Sequence, residues 1–386
     1  MGPRVALVTH STKPRGGFVH TLGIAEALHA DGVDVHLVAL GDPAAGLPRA
    51  TPVPHTVLAG PSHSGTTLDE RVFAAIDTLE TGLTGLAGAF DVLHTQDCIA
   101  ARAAVRVRDA GAAVTVVRTV HHVDDFTTRA LVDCQRAAIA EPDRVLVVSE
   151  QWRAILRDEY GREATVVPNG VDTARFASPG PERVAELRSR IPAGRALLLG
   201  VGGIEPRKGT RHAFEALGRL KRERGPVATL AIVGGHSFQD YTAYRDAALA
   251  ALPDLGLVLG EDVVLLGTVS DADLAGWYHA ADVLCFPSVK EGWGLVVLEA
   301  LAAGLPVVAS DLPVFAEYLA DGRDALLPPV GDPAALAAAL GRLLDDAALR
   351  ERLVAGGRAV LPRYTWEASA ARHREVYAEL TAPVPG

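Results

Sequence analysis

Short apolar runs alternate with longer segments of helical period along nearly the whole chain. The first run is 5–9 (VALVT); the polar loop STKPRGG follows, then a predicted helix over 18–30 with Phe18, Leu22, Ala25 and Leu28 near one face, and a strand over 33–40. That is one βαβ unit, and the pattern repeats. Helices are predicted at 68–86, 98–110 and 131–140, and strands at 91–95, 113–120 and 145–149. A turn signal, Pro168-Asn169-Gly170-Val171-Asp172, then stands before a second series that opens on the strand 196–201. Strands at 230–234, 263–266, 281–286 and 305–309 follow, with helices from Thr210, at 274–280, 295–303, 333–345 and 347–360, and a last helix over 366–380. The segment 322–328 reads as a further strand, and 236–244 as an insertion. Fully apolar strands alternating with helices predict parallel α/β sheets covered on both faces.

The densest stretch is 287–311, PSVKEGWGLVVLEALAAGLPVVASD. It forms a strand, glycine loop, helix and strand, and the free N–H groups opening the helix favour an anion. Glu291 lies in the loop and Glu299 about two turns on. At about 1.5 Å rise per residue they are up to about 12 Å apart, which suits two ends of one ligand better than a shared proton. A lone helical glutamate ordinarily belongs to a solvated face, but every other residue from Leu295 to Ala303 is apolar.

Composition narrows the function classes. A chain of 386 residues that is 49% hydrophobic suggests two globular domains. A net charge of −10 argues against nucleic acid as a partner. Cys98, Cys134 and Cys285 show no CxxC spacing and fit a reducing cytoplasm, and no apolar run is long enough to span a membrane. Docking on a membrane is left open, the nearest basic amphipathic helix being 98–110 with Arg102, Arg106 and Arg108. No HExxH stands in the chain, and Asp271 and Asp273 open a helix as caps rather than forming a metal pair.

The two glutamates eight apart, the intervening GWGLVVL and the trailing EALAAGLPVVAS resemble the signature of retaining glycosyltransferases of family four. The resemblance implies a GT-B fold: two Rossmann-like domains facing a central cleft, residues 1–167 for the acceptor and 168–365 for a nucleotide-sugar donor, with a helix from 366 onward crossing back to the first domain. It implies a bacterial, cytoplasmic transferase that moves a sugar to a hydroxyl of a small molecule or glycan by front-face displacement. No cofactor or metal is required, and the donor is a nucleoside-diphosphate sugar. In the family's pattern the first glutamate, here Glu291, contacts the donor sugar and the second, Glu299, the ribose. A lysine placed like Lys208 in GGIEPRKGT contacts the diphosphate; the backbone of Gly292, Trp293, Gly294 and Leu295 faces it; Thr268 and Val269 lie near the base. Gly16 and Gly17 match a glycine pair near the diphosphate and acceptor. His121 orients the donor sugar, with His122 the competing assignment, and His94, Gln96 and Asp97 make an acceptor-facing rim. One position departs from the pattern: Gly203 stands where the family has an arginine, with Arg207 the candidate substitute, so restoring arginine there is expected to tighten diphosphate binding. The competing readings are a GT-B nucleotide-sugar epimerase and a catalytically silent nucleotide-sugar binder.

Overall fold

The structure, a computed structural model, describes residues 2–13, 16–61, 67–235 and 240–381. It divides into two compact units, 1–170 with 364–386 and 171–363. The first holds a parallel sheet of β1 (Val5–Thr9), β2 (Val35–Gly41), β3 (His55–Ala59), β4 (Val92–Thr95), β5 (Thr115–Val120), β6 (Arg144–Val147) and β7 (Thr165–Val166), in the order β3-β2-β1-β4-β5-β6-β7. Its helices are α1 (Gly16–Ala30), α2 (Leu68–Leu86), α3 (Cys98–Asp109), α4 (Arg129–Ala140) and α5 (Glu150–Tyr160). The second unit holds β8 (Ala196–Val201), β9 (Ala228–Val233), β10 (Val263–Gly267), β11 (Val283–Phe286) and β12 (Val307–Ala309), also parallel, in the order β10-β9-β8-β11-β12. Around it lie α6 (Pro181–Arg188), α7 (Thr210–Arg224), α8 (Thr242–Ala250), α9 (Asp271–Ala280), α10 (Leu295–Ala303), α11 (Pro313–Ala316), α12 (Pro333–Asp345) and α13 (Ala347–Val360). The last helix, α14 (Trp366–Thr381), belongs to the first unit.

In both sheets the strand order reverses direction once, between β1 and β4 in the first and between β8 and β11 in the second. Loops leaving the carboxyl ends of two such strands diverge to opposite faces and leave a crevice, the usual ligand position in open α/β sheets.

The expected segment at 322–328 forms no named strand; it makes only the bridges Val308↔Leu326 and Asp321↔Ala325. Residues 236–239 of the expected insertion at 236–244 lie outside the described residues, and α8 begins at Thr242. Asp271 and Asp273 do not cap α9 themselves. Ser270 does, its hydroxyl accepting from Asp273 N–H, while the two carboxylates pair with Arg175 and Arg183.

The turn signal at 168–172 has a specific cause. A Cβ on Gly170 would come within 2.3 Å of the Trp366 nitrogen, so only glycine lets the chain pass the start of α14. Gly23 does the same on α1, where a Cβ would stand 2.5 Å from the Trp366 ring. Ala370, Val376 and Tyr377 of α14 complete the core made by β1, β2, α1 and their neighbours.

Histidines are packed into this contact. His94 is fully buried, with Nδ1 2.6 Å from the Tyr377 hydroxyl and Nε2 2.8 Å from Thr119 Oγ1. His373 on α14 shares Nδ1 with the Ser369 carbonyl at 2.8 Å, and its ring lies 5.4 Å from His94. His20 is buried between His121 and Trp366. Burial holds His20 and His94 well below the usual histidine range and His373 at about 4, the like rings around His20 and His94 adding to the effect.

These histidines resist protonation when folded but take protons below about pH 6.5 when unfolded, so their contribution is complete above that value and is lost as pH falls toward 4. Hydrogen exchange of α14 is expected to accelerate, after correction for intrinsic rates, as pH falls from about 6.5 to 5. The expected loss is about 1 kcal/mol per buried histidine by about pH 5.5. His373→Asn should reduce the slope; a flat profile in the parent protein would show that the cluster does not secure the helix.

Candidate functional site

The second unit gathers its polar groups at the switch point. β8 runs out through Gly202 and Gly203 into a short turn, Pro206–Lys208, and β11 through Pro287 and Ser288 into the loop that opens α10. Two backbone features lock these loops together. Gly209, at φ +65°, approaches so closely that a Cβ would lie 1.8 Å from the Pro287 carbonyl oxygen, and Val289 N–H donates to the Arg207 carbonyl at 2.8 Å.

Across that seam Lys208 Nζ meets Glu291 Oε1 at 2.6 Å. The Ser288 hydroxyl donates to the same oxygen at 2.9 Å, and Arg207 lies 3.5 Å from it. Arg207 also pairs with Glu205 at 3.0 Å, and the Lys208 ammonium sits 4.6 Å from the centre of the Phe286 ring. The pair is deeply placed, with side-chain exposures of 13% and 7%. Burial alone would raise the Glu291 carboxyl, but the cations of Lys208 and Arg207 outweigh it and hold the group below the usual glutamate range. Burial lowers the Lys208 ammonium, with Glu291 opposing. An ammonium has three donors, so Lys208 can hold Glu291 and still donate to a ligand oxygen.

A small pocket opens here, lined in part by Gly202, Gly203, Lys208, Thr210, Phe286 and Pro287. Gly294, at φ +89°, packs where a Cβ would meet Phe315 at 2.5 Å, and α10 starts from it without a side-chain cap. Its first N–H groups therefore stand ready for an acceptor oxygen or anion. The Trp293 ring, 3% exposed, stacks on Tyr318 at 5.0 Å and serves as an internal wedge, leaving backbone for contact with a ligand. Thr268 and Val269 follow β10 at the same edge of the sheet, Thr268 exposed and Val269 half-buried. Glu299 is not on a solvated face: it is 8% exposed and accepts the Tyr278 hydroxyl at 2.7 Å.

Gly203 now has a reason. A Cβ there would stand 2.7 Å from the Gly235 carbonyl oxygen, and one on Gly234 would stand 2.4 Å from the Gly202 carbonyl carbon. Two glycine pairs pack backbone to backbone at the ends of β8 and β9, so a side chain at Gly203 would drive into backbone, and the nearby cations are Lys208 and Arg207.

The first unit assembles a smaller group at its own switch point, and the expected rim divides. Gln96 is 3% exposed, and its Oε1 accepts from His121 Nε2 at 3.2 Å, which in a neutral ring leaves Nδ1 as an acceptor. Burial, with His122 and Arg118 beside it, lowers His121 to about 3, so the ring is neutral across the physiological range. His122 points outward instead, 3.5 Å from Asp124. His94 is no part of a rim, because both ring nitrogens are engaged inside the core. Asp97 is likewise committed: it caps α3 through Ala100 N–H at 2.8 Å and takes His10 N–H at 2.8 Å and the His10 ring at 3.0 Å. Gly16 and Gly17 open α1, and a Cβ on either would meet nothing within 4 Å among the described residues, so crowding by them does not require glycine there.

The candidate membrane helix is occupied as well. The apolar face of α3 is buried, and Arg102 pairs with Glu141, Arg106 with Asp77 and Glu80, and Arg108 with Asp109 and Asp143. No helix among the described residues is long and apolar enough to cross a membrane. Sequence reasoning missed Ser288, Glu205 and Tyr278; Ser288 and Glu205 meet Glu291 and Arg207 three and two residues away, a proximity that was available as a signal, whereas Tyr278 reaches Glu299 from another helix.

Comparison with known proteins identifies the family. Residues 185–360 match the family described as glycosyl transferases group 1, and residues 14–175 match Glycosyltransferase Family 4. A phosphatidyl-myo-inositol mannosyltransferase of Mycobacterium leprae is 32% identical over 380 residues, covering 94% of this chain and 93% of the relative. A D-inositol 3-phosphate glycosyltransferase of Xylanimonas cellulosilytica is 31% identical, covering all of this chain and 98% of the relative. Among solved structures, Anabaena Alr3699/HepE in complex with UDP and glucose is similar in fold, with a TM-score of 0.82 at 20% identity, covering 97% of this chain and 99% of that one.

Two outcomes test the packing at the switch point. Lys208→Met strands the Glu291 carboxylate and is expected to cost about 3 kcal/mol in denaturant unfolding, most of it recovered in Lys208→Met/Glu291→Gln; equal losses in both would mean the pair is not coupled. Gly203→Arg is expected to lower the melting temperature without tightening nucleoside-diphosphate binding. A gain in affinity at unchanged stability would overturn the packing account.

Proposed function

The chain belongs to the family-four glycosyltransferases of GT-B fold, and on that premise we propose that it transfers a sugar from a nucleoside-diphosphate sugar to an acceptor hydroxyl with retention of configuration. The observation that carries this reading is the buried Lys208–Glu291 pair, set beside the uncapped start of α10 at the switch point of the second unit. A diphosphate arriving there meets the remaining donors of Lys208, the half-exposed Arg207 guanidinium and the backbone of Gly292 to Leu295. Negative charge grows on the leaving phosphate as the bond to the anomeric carbon breaks. Fixed donors already aimed at it lower the barrier, because nothing has to reorient.

In the proposed reaction Glu291 accepts from hydroxyls of the donor sugar, Glu299 from the ribose, and Thr268 and Val269 present backbone groups to the base. The acceptor oxygen attacks the anomeric carbon on the face the phosphate leaves, and its proton passes to the departing phosphate oxygen. A double displacement through Glu291 is disfavoured, because Lys208, Ser288 and Arg207 already draw on that carboxylate. In the first unit, His121 with Gln96 is the proposed sugar-orienting pair, and the start of α1 at Gly16 and Gly17 and the exposed His122 are the proposed acceptor side.

An acceptor carrying an inositol ring is the first to test, since both relatives quoted above are named for one. A thermal-shift panel of UDP-, GDP- and ADP-sugars should identify the donor by a concentration-dependent rise in melting temperature. Transfer to inositol-bearing and other hydroxyl acceptors should then give a product of retained configuration. Incubation with donor alone discriminates an epimerase, which would yield the epimer. Glu299→Ala is expected to weaken nucleotide affinity about tenfold or more, the scale of a hydrogen bond to a charged group; unchanged affinity in calorimetry would sink the ribose role.

A further inference from the structure

Glu299 leaves an otherwise apolar helix and enters the core of the second unit, where one side chain meets it directly. The Tyr278 hydroxyl, on α9, donates to Glu299 Oε2 at 2.7 Å. Tyr278 is itself 1% exposed and is fixed by an edge-on contact with Phe176 at 5.6 Å. The Oε1 oxygen accepts from none of the described residues. The other charged groups that face the carboxyl are Arg175 and Asp271, paired with each other at 2.7 Å, and Lys208 from the loop after β8.

These groups pull in opposite senses. Burial raises the carboxyl above the usual glutamate range and Asp271 adds to that, while the Tyr278 bond, Arg175 and Lys208 act to lower it, and burial prevails. The phenol is a donor here and has the carboxylate as its partner, so its bond favours the ionised form. A protonated Glu299 would have to spend its own hydrogen on a neighbour and would offer a ribose a weaker acceptor.

We propose that Tyr278 is a positioning residue that keeps Glu299 ionised, with Oε1 turned to the nucleotide, and that this pair makes donor affinity depend on pH. The proposal rests on the reading of Glu299 as the ribose contact. The sign follows directly: affinity is full where Glu299 is ionised and falls as pH drops through its raised midpoint. Ribose hydroxyls donating to Oε1 favour the same ionised form, so nucleotide binding near that midpoint expels a proton. Losing the Tyr278 hydroxyl removes a hydrogen bond that opposes burial and moves the midpoint further up.

The test is a carbon-13 NMR titration of the Glu299 carboxyl in protein labelled at glutamate, the signal being assigned by its absence in Glu299→Gln, with nucleoside-diphosphate affinity measured over the same pH range. Tyr278→Phe is expected to raise the midpoint by about one pH unit, a tenfold change in proton affinity, and the acid-side loss of nucleotide affinity should move with it. Glu299→Gln should bind weakly and without that pH dependence. Arg175→Gln, which removes a facing cation and leaves the hydroxyl in place, should shift the midpoint in the same direction and serves if Tyr278→Phe does not fold. An unmoved midpoint in Tyr278→Phe overturns the proposal while leaving the ribose reading intact, whatever Arg175→Gln does. A moved midpoint with nucleotide affinity flat in pH overturns both.

Discussion

The buried ion pair between Lys208 and Glu291 is the constraint on which the second unit's chemistry depends. Two charges taken out of water are costly unless they meet in good geometry and their remaining bonds are filled. The fold supplies that geometry because the two residues leave neighbouring parallel strands, β8 and β11, on either side of the reversal in strand order. Gly209 pressed against Pro287 and the bond from Val289 to Arg207 hold the loops in register, and Ser288 and Phe286 complete the surroundings of the pair. The result is a cation fixed before any ligand arrives, which is the condition under which electrostatics contributes most to a reaction.

The same loop and helix show how surroundings divide one residue type into two chemistries. Glu291 is surrounded by cations and stays ionised despite burial; Glu299, eight residues on, faces a phenol and a mixed pair of charges, and its carboxyl is raised. Two carboxyls with environments that push them apart are suited to different tasks. Histidine divides in a similar way in the first unit. His94 and His373 are packing groups, and the bond from His94 to the Tyr377 hydroxyl ties α14 into the core, whereas His121 stands at the sheet's carboxyl edge with a ring nitrogen still able to accept.

Much of the architecture was legible because its signals are local. The helices at 68–86, 333–345 and 347–360 begin and end where period and capping residues place them; Thr67, Asp332 and Asp346 accept the first free N–H groups. Continuous apolar runs marked the parallel strands. The segment 322–328 misled because an extended apolar run looks the same whether it pairs along its length or touches its neighbour at a single bridge. Asp97 and the α3 arginines were harder to read for a related reason: a charged residue after a strand or along a helix has the same letters whether it meets a substrate, a membrane or a partner far away in the chain.

The sequence by itself determined the alternation of strand and helix, the glycine loop before α10, the two glutamates and the family they resemble, because each is written in residues close together and set by backbone propensity or a contiguous motif. Tertiary structure alone decided which charges meet. It joined Lys208 to Glu291 across 83 positions, Tyr278 to Glu299 across 21 and His94 to Tyr377 across 283. It also explained Gly203 by a carbonyl oxygen from the next strand. Burial and hydrogen-bond partnership are properties of neighbours in space, and no local pattern of hydrophobic and polar residues encodes them.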